Sequence, residues 1–510
     1  MRTRLLITLV LFVAGLLLVS QINFPQNDDW VYYKMASSFS KGVVKLDDIS
    51  APTFYLQGLI GAFFAYFFGI QHIPVLTLLV SVLNFWLFSE IVYKYYARNT
   101  LLAVSLGLLL FFNPLHVYSA LGFMTENYYL FFLLCALYFI LEFMQTNTPK
   151  SFALANLFIL ADFFIRQLSF VTSIAFAFYL FSQKRYRYAI AQMGIFGVLY
   201  GYYMLIFPKT AEMLEKPLEL KNIWEISYWY ALIYAIAIYL IAFTAPVAFY
   251  LVIKWLKDAK VIHLVLIVGI TVVTYFVLNK YFMPQKLAWG EFYYLDNVLE
   301  RKGFFPRGID GNKYYFQKNF ELYLRWDQIA KLLFAIFIPI VVLFRRKTLN
   351  FHLFYIAVYL AVMVVTVKVY DRYLLVILPF FILFVLELLT NYSIRIFSFT
   401  VLVFVSFLIF YTYQFSMDFV LLNKYVWNKS LELVATKNIE GKDIMGTNSW
   451  KLTNYNATHD YKYIFTFESF KTKPELKCCF TLVEEHNVTF PYSFFIEPKI
   501  YLYQRIETEV

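Results

Sequence analysis

Hydrophobic segments about as long as a membrane is thick recur along almost the whole chain, and short polar turns separate them. A helix that crosses a bilayer needs about 20 apolar residues, with about 17 as the usual lower limit. On this pattern we predict thirteen spans. Two of them, residues 151–165 and 168–182, are short helices that form a pair. The predicted segments are residues 5–21, 74–92, 101–120, 127–145, 151–165, 168–182, 189–207, 229–252, 261–279, 329–344, 351–367, 374–390 and 396–415.

The turns on one side of these segments are short and basic, as at Tyr93–Arg98, Lys184–Arg187 and Arg345–Lys347. Lysine and arginine are enriched in cytoplasmic loops, so this side is predicted to be the cytoplasm. The three long loops and the tail then lie on the outer side. They are residues 22–73, 208–228, 280–328 and 416–510.

Residues 54–69 are apolar but form only one short segment. If they crossed the membrane there would be fourteen spans, and every basic turn that follows would lie outside. We therefore predict that this segment does not cross and that it forms an interfacial helix.

The composition agrees with a multi-pass membrane protein, which we expect in the plasma membrane. The chain has 510 residues, of which 61% are hydrophobic and 15% are charged, and its mean hydropathy is +0.62. A soluble domain is about half apolar and about a quarter charged. The net charge of +11 is explained by the basic cytoplasmic turns and does not indicate nucleic acid. Three cysteines are too few for a disulfide framework.

The first outer loop carries an amphipathic pattern over residues 28–41. Asn27 is a suitable N-cap, apolar residues recur every four positions from Val31 to Phe39, and Gly42 is a natural helix stop. The pattern predicts a helix at the membrane surface.

The tail contains alternating strand-like runs, such as residues 461–467 and the run from 494 to 503. We therefore predict a transmembrane domain over 1–415 and a small β-rich outer domain over 416–510. The loop 280–328 is aromatic and basic, which favours a loop that covers a substrate.

Two adjacent acids, Asp28 and Asp29, stand where the first span meets water. Acids in a first helical turn also stabilise the helix dipole, so capping and chemistry are compatible interpretations. Glu126 lies at the outer end of a span, where a carboxylate either contacts water or marks a functional site. Asp162 is expected to form an ion pair with Arg166, four residues later.

Arg166 is predicted at the outer tip of the short helix pair. It is either an arginine that extends to the interface or a ligand of an anion, and its planar, permanently charged group suits phosphate. The cluster Lys368–Tyr373 is a second candidate, although an aromatic belt with charged side chains explains it equally well. The six histidines show no metal-ligand spacing, and no phosphate-binding glycine loop is present.

Together these positions resemble the GT-C type glycosyltransferases, in particular the bacterial aminoarabinose lipid A transferases and the protein O-mannosyltransferases. Asp28-Asp29, Tyr32 and Gly42 are similar to the Asp-Glu-x-x-Tyr…Gly pattern of their first outer loop. The run Ala51-Pro52-Thr53-Phe54-Tyr55 looks like their Pro-Pro-Leu-Tyr segment with one proline fewer.

Glu126 falls where this family carries a second acid, and Arg372-Tyr373 with Pro379 matches the start of a later helix. The resemblance covers about residues 1–210 and 370–390. The Glu-Lys-Pro that precedes the second hydrophobic segment of the aminoarabinose transferases is absent from this chain.

The resemblance implies a GT-C-like fold and an inverting transfer of a sugar from a polyprenyl-phosphate donor, on the extracytoplasmic side. It implies Asp28 as the general base, with Asp29 and Glu126 positioning the substrate. The implied ligands of the donor phosphate are Arg166, Arg372 and Tyr373. Glu126 could alternatively hold a divalent cation, and no other cofactor is implied. The implied partners are the lipid-linked sugar, an acceptor that is a lipid, glycan or protein, and membrane lipids.

Two other classes remain open. A secondary transporter or a lipid or glycan flippase would place its charges on broken helices in mid-membrane, whereas these charges gather at the outer face. A non-catalytic scaffold that presents the tail is the third interpretation.

Overall fold

The structure is a computed structural model. Its described residues are 2–26, 29–207, 220–226, 229, 232, 236–281, 299–300, 303–304, 309, 320–344, 350–366, 370–389, 393–454, 460–491 and 499–506. Asn27 and Asp28 lie outside them, as does most of the predicted covering loop 280–328. The described part of that loop includes a short antiparallel pair, β1 (Leu299–Glu300) and β2 (Gly303–Phe304).

The described chain is mainly helical. Its α-helices are α1 (Arg2–Val19), α2 (Asp29–Ser40), α3 (Leu56–Phe68), α4 (Ile73–Val92), α5 (Thr100–Phe111), α6 (Pro114–Ala120), α7 (Thr125–Thr146), α8 (Pro149–Phe163), α9 (Phe170–Ser182), α10 (Tyr186–Ile206), α11 (Ala245–Asp258), α12 (Val261–Tyr281), α13 (Phe320–Phe344), α14 (Phe351–Val365), α15 (Leu378–Leu388), α16 (Ile394–Lys437) and α17 (Asn448–Thr453).

Six helices among the described residues are long and apolar enough to cross a membrane, and the bent pair α5–α6 makes a seventh if it is one span. The six are α1, the segment Ile70–Ala97 around α4, α7, α10, the segment Val261–Lys280 of α12, and α16. The chain is therefore a helical membrane protein. The count does not reach the thirteen spans that the sequence predicts.

Five further predicted spans coincide with shorter elements. Helices α8, α9, α14 and α15 have 15, 13, 15 and 11 residues, and the apolar part of α13 is Gln328–Val342. The predicted span 229–252 lies partly outside the described residues, and its described part includes the helical segment Ile236–Ala242 and the beginning of α11. A helix of 15 residues is only about 22 Å long, whereas the hydrocarbon core is about 30 Å thick. Hydropathy detects these apolar runs but does not show where each helix ends.

The predicted span 101–120 is broken into α5 and α6, which meet at 67°. Pro114 opens α6, and a proline disfavours helical backbone in the residue before it. Asn113 accordingly has an extended backbone, and its side chain accepts a hydrogen bond from the backbone N–H of Leu115 at 3.0 Å. The Asn-Pro pair therefore ends one helix and caps the next.

The first outer loop folds back onto the bundle. The predicted helix 28–41 is present as α2, and Gly42 follows it with a φ of 82°. The predicted apolar stripe is buried, but it packs against α3 and neighbouring loops and not only against a membrane surface. Helix α3 has 13 residues, which is too short to span a bilayer alone.

Polar side chains join α4 and α7 inside the bundle. The amide of Asn84 donates to the Asn127 carbonyl at 3.0 Å, and the Asn127 amide donates to the Ser81 hydroxyl at 2.7 Å. Thr77 and Tyr128 share a further hydrogen bond of 3.0 Å. Hydrogen bonds of this kind hold helices together where the surrounding lipid offers no partner.

The predicted last span 396–415 is the first half of one continuous helix, α16, which has 44 residues. Its second half packs against a small sheet of β3 (Ile444–Met445), β4 (Tyr463–Thr466), β5 (Phe480–Asn487) and β6 (Lys499–Arg505) in the order β3-β4-β6-β5. The β3–β4 pair is parallel and the other two pairs are antiparallel. The adjacent Cys478 and Cys479 form a disulfide before β5.

We expect Gly107→Ala to destabilise the bundle. A Cβ at this position of α5 would lie 2.1 Å from the Ser89 Oγ and 2.9 Å from the Phe85 ring. Overpacking of this kind costs about 1–3 kcal/mol. The matched control is Gly194→Ala in α10, where a Cβ meets nothing within 4 Å and the better helix former should stabilise slightly. Thermal unfolding in detergent measures both variants, and equal midpoints would contradict this packing.

Candidate functional site

The site is built around Glu126 in the first turn of α7. Met124 precedes the helix with extended backbone, so the helix begins at Thr125 and its N-terminus faces the connection from α6. A carboxylate in the first turn is stabilised by the helix dipole. The Glu126 side chain is only 2% exposed, so water does not solvate it and protein groups must balance its charge.

Two arginines from distant parts of the chain bind Glu126. The Arg166 Nη1 lies 2.8 Å from the Glu126 Oε1, and the Arg372 Nε lies 3.2 Å from the same oxygen. Arg166 also donates to the Thr125 hydroxyl at 3.0 Å. Three residues that the sequence singled out separately therefore meet at one carboxylate oxygen.

This arrangement corrects the expectation that Arg166 forms an ion pair with Asp162. Arg166 pairs with Glu126 on another helix, and among the described residues no ion pair joins it to Asp162, which was predicted to be its partner. The Asp162 carboxylate is buried, and neither of its oxygens has a hydrogen-bond partner within the described chain. Helix α8 ends at Phe163, so Arg166 leaves the helical face on which an i,i+4 pair would form.

Arg372 and Tyr373 lie in a buried helical turn, Asp371–Val376, that leads into α15. The sequence allowed charged side chains in an aromatic belt here, but Arg372 and Tyr373 are buried in the protein. The Arg166 guanidinium lies 4.5 Å from the Tyr373 ring centre, and the Arg372 guanidinium lies 5.1 Å from that of Tyr370. Such cation–π contacts are stronger where water is excluded.

Two further groups fix this turn. Asp371 accepts a hydrogen bond from the Arg372 backbone N–H at 2.7 Å. The Tyr359 hydroxyl of α14 donates to the Tyr373 carbonyl at 2.7 Å. The turn that carries Arg372 is therefore held from within and from a neighbouring helix.

Asp29 connects the first outer loop to this end of the bundle. Its carboxylate Oδ2 accepts a hydrogen bond from the Phe123 backbone N–H at 2.8 Å, three residues before Glu126. A Cβ at Gly122 would lie 2.2 Å from that oxygen, so the close approach requires glycine there. Asp29 is fully buried, and its contact with Phe123 positions the loop ahead of α7. The adjacent Asp28 lies outside the described residues.

The segment that resembles the family's Pro-Pro-Leu-Tyr run also reaches the site. The backbone N–H groups of Tyr55 and Leu56 both donate to the Phe164 carbonyl, at 3.0 and 2.9 Å. Phe164 is two residues from Arg166, so the first outer loop contacts the tip of the short helix pair. The Gln57 side chain donates to the Phe123 carbonyl at 2.9 Å.

Tyr33 of α2 is an electrostatic neighbour of Asp29. Burial of its hydroxyl, followed by the nearby charge of Asp29 and the neighbouring Tyr128, raises the pKa of Tyr33 well above its usual value. Tyr33 therefore stays protonated over the physiological range and keeps its hydrogen-bond donor.

That Glu126 could hold a divalent cation stays a prediction. Within the described chain no three His, Cys, Asp or Glu side chains cluster as a metal site would require. One Glu126 oxygen is already bound by two cations, which repel a third. The other oxygen, Oε2, is buried and has no hydrogen-bond partner among the described residues.

Sequence reasoning missed the supporting polar residues. Gln57 and Gln26 are both buried, and Gln26 donates to the Tyr118 carbonyl at 2.8 Å. A glutamine inside an otherwise apolar segment was the available signal for Gln57. The need for glycine at position 122 could not be predicted from the sequence, because it arises from a contact with Asp29, which is distant along the chain.

An apolar groove of about 520 Å³ lies beside the Arg166 tip. Tyr55, Leu56 and Phe164, which join the first loop to the tip, form one wall, and Tyr202 and Phe207 at the end of α10 form the other. Phe164 lines the groove and is two residues from Arg166, so the groove lies next to the charged cluster.

We expect Glu126→Gln to destabilise the protein by about 3–5 kcal/mol, because it leaves two buried guanidinium groups without their shared charge. The matched control on the same helix is Glu142→Gln. Glu142 pairs with Lys94 at 2.5 Å but is 26% exposed, so the loss should be about 0–1 kcal/mol. Unfolding in detergent provides the comparison.

Adding Arg166→Met to Glu126→Gln should recover part of the lost stability, because one unpaired cation is removed. If the double variant is no more stable than Glu126→Gln alone, the shared-carboxylate arrangement is wrong.

In comparisons with known proteins, no family model, no curated protein and no solved structure matches this chain.

Proposed function

We propose that the chain is an integral-membrane inverting glycosyltransferase that moves a sugar from a polyprenyl-phosphate donor to an acceptor on the extracytoplasmic side. The observation that carries the proposal is the meeting of Asp29, Glu126, Arg166, Arg372 and Tyr373 at one end of the helix bundle. Asp29, Glu126, Arg372 and Tyr373 belong to the positions that resemble the GT-C pattern, whereas Arg166 was selected for its charge at the tip of the short helix pair. The five residues are scattered over more than 300 positions.

The two arginines suit the donor phosphate. A guanidinium has five N–H donors in a planar fork, so one arginine can bridge a carboxylate and a phosphate. In this proposal Glu126 holds both guanidinium groups in place before the donor binds. Cations placed in advance at developing negative charge typically supply about 2.7–4 kcal/mol of transition-state stabilisation.

Glu126 has a second role in the proposal. Its Oε2 is a buried acceptor with no partner among the described residues, and leaving such a group unpaired costs free energy. A hydroxyl of the sugar or of the acceptor would satisfy it. Glu126 is then a positioning residue that orients both the substrate and the arginines.

Asp28 is proposed as the general base. It would take the proton from the acceptor nucleophile as that atom attacks the sugar carbon opposite the phosphate, and the polyprenyl phosphate would leave. An inverting displacement needs one carboxylate on the acceptor side, as in inverting glycosidases. The contact between Asp29 and the Phe123 backbone supports this division of roles, because an oxygen of Asp29 already accepts a structural hydrogen bond.

The surroundings suit a lipid donor. The groove lined by Tyr55, Phe164 and Phe207 is apolar and adjoins the Arg166 tip, so an isoprenoid chain could lie there while its phosphate reaches the arginines. The loop 280–328 is proposed to cover the bound donor and exclude water.

A secondary transporter or a lipid or glycan flippase is the second candidate. The observation in its favour is the 67° break between α5 and α6, since broken helices carry the binding sites of many transporters. The buried carboxylate of Asp162 is a second feature of that kind. Flux of a solute or lipid across vesicles, in the absence of any transferase activity, would favour this candidate.

We expect Asp28→Asn to lower sugar transfer by about 10²–10⁴-fold while the protein stays folded, because proton removal from the acceptor is lost. The assay is transfer of radiolabelled mannose or aminoarabinose from polyprenyl phosphate to lipid, glycan and protein fractions in reconstituted vesicles. The control is Asp48→Asn, an exposed acid of the same loop, which should keep full activity. Full transfer by Asp28→Asn would remove Asp28 as the base.

We expect Arg372→Lys to lower transfer by about 10²–10³-fold, because lysine keeps the charge but loses the planar fork. The rate should fall even at saturating donor if the arginine acts on the leaving phosphate. An effect on donor KM alone would show that Arg372 only binds the ground state.

A further inference from the structure

The two adjacent cysteines of the tail, Cys478 and Cys479, form a disulfide on the surface of the small sheet. They join the short helical turn Pro474–Cys478 to β5, an outer strand of the sheet, and both cysteines are exposed. The Cys479 carbonyl accepts a hydrogen bond of 2.8 Å from the backbone N–H of Ile506, which follows β6. The disulfide is therefore held by its backbone at an exposed edge of the folded tail.

A disulfide between neighbouring residues contributes little to the stability of a fold. Disulfides stabilise proteins mainly by closing a loop in the unfolded chain, and the gain grows with the number of residues in that loop. No residue lies between Cys478 and Cys479, so their bond connects no distant segments. Exposed disulfides are also those that exchange most readily with thiols. Spacing and exposure therefore both favour a chemical role for this pair.

The thiol that exchanges with the pair must come from outside the chain. The chain has three cysteines, and the third, Cys135, lies in the middle of α7 in the helix bundle. Attack by an external monothiol is readily reversed, because the released cysteine is next to the mixed disulfide and attacks it. A dithiol completes the exchange with its own second thiol. The adjacent spacing therefore selects a dithiol.

The groups beside the pair suit both the attack and the reduced state. Lys477 is exposed and directly precedes Cys478, and a neighbouring ammonium favours thiolate, which is the reactive form in exchange. The Cys478 Sγ lies 2.9 Å from the Glu475 carbonyl oxygen. A reduced Cys478 thiol therefore has an acceptor for its proton within the same turn.

We propose that Cys478 and Cys479 are a thiol–disulfide exchange site whose reductant is a dithiol. A thiolate of the dithiol attacks one sulfur, the S–S bond of the pair breaks, and the released cysteine takes a proton. The second thiol of the dithiol then attacks the mixed disulfide and releases the other cysteine. Two electrons and two protons pass to the pair, which becomes two thiols, and the dithiol leaves as a disulfide. This inference does not depend on the proposed sugar transfer.

The test is reduction of the full-length folded protein in detergent, with thiols trapped by N-ethylmaleimide and located by peptide mass spectrometry. We expect dithiothreitol to reduce the pair at a rate within about tenfold of that in protein unfolded by guanidinium chloride, because the fold leaves the disulfide exposed. 2-Mercaptoethanol at the same thiol concentration should be at least about tenfold slower. Stronger protection by the fold, or similar rates for the two reagents, would overturn the proposal.

Reduced thioredoxin, at the same concentration of dithiol as dithiothreitol, distinguishes the two sources of a dithiol. Faster reduction by thioredoxin identifies a protein dithiol as the partner, and faster reduction by dithiothreitol identifies a small one.

Charge-reversal variants test the role of the lysine. Lys477→Glu should slow reduction by about 2–10-fold at low ionic strength. The matched control is Lys442→Glu, an exposed lysine just before β3, which is the outer strand on the other side of the sheet. It should leave the rate unchanged, and equal rates in the two variants would contradict the assigned role of Lys477.

A double variant, Cys478→Ser with Cys479→Ser, separates exchange from a structural role. We expect its thermal unfolding midpoint to stay within about 2 °C of that of the oxidised protein, because the bond closes no loop. A larger loss of thermal stability would show that the disulfide is structural and would overturn the proposal.

Discussion

The carboxylate of Glu126, held between the guanidinium groups of Arg166 and Arg372, is the interaction on which the arrangement of this end of the molecule depends. Taking one acid and two arginines out of water carries a large desolvation cost, which only close pairing can offset. The cost makes the geometry strict, because any displacement leaves a buried charge unbalanced. Three segments, from α7, the α8–α9 turn and the turn before α15, are thereby fixed relative to one another.

The chemistry of arginine is the reason for proposing that this cluster also binds a substrate. A lysine would direct one compact charge at Glu126, whereas a guanidinium offers a planar set of donors and a face that packs on tyrosine. Arg166 uses both features, since it contacts Glu126 and the ring of Tyr373. The same fork matches the oxygens of a phosphate, which is the basis for proposing a lipid-phosphate donor.

The first outer loop completes the site because it is bound to the bundle by its backbone as well as its side chains. Asp29 and Gln57 both contact Phe123, and Tyr55 and Leu56 contact the carbonyl of Phe164. These hydrogen bonds connect the loop to the start of α7 and to the tip that carries Arg166. The loop is therefore one wall of the candidate site.

The sequence by itself determined the class of the protein, the amphipathic helix with its stop at Gly42, the strand at residues 463–466, and the individual polar residues that stand out in an apolar chain. These features depend on residues that are close together in the sequence, so the sequence alone is enough to predict them. The sequence overestimated the spans, because an apolar run predicts burial in lipid or in protein equally well and does not reveal where a helix ends.

Only the tertiary structure decided the partners. Asp162 and Arg166 have the spacing of an ion pair, yet α8 ends between them and Arg166 binds Glu126 instead. Likewise, the need for glycine at position 122 arises only because Asp29, far away in sequence, approaches it. Charge and spacing identify which residues need partners, but the folded chain decides which partners come within reach.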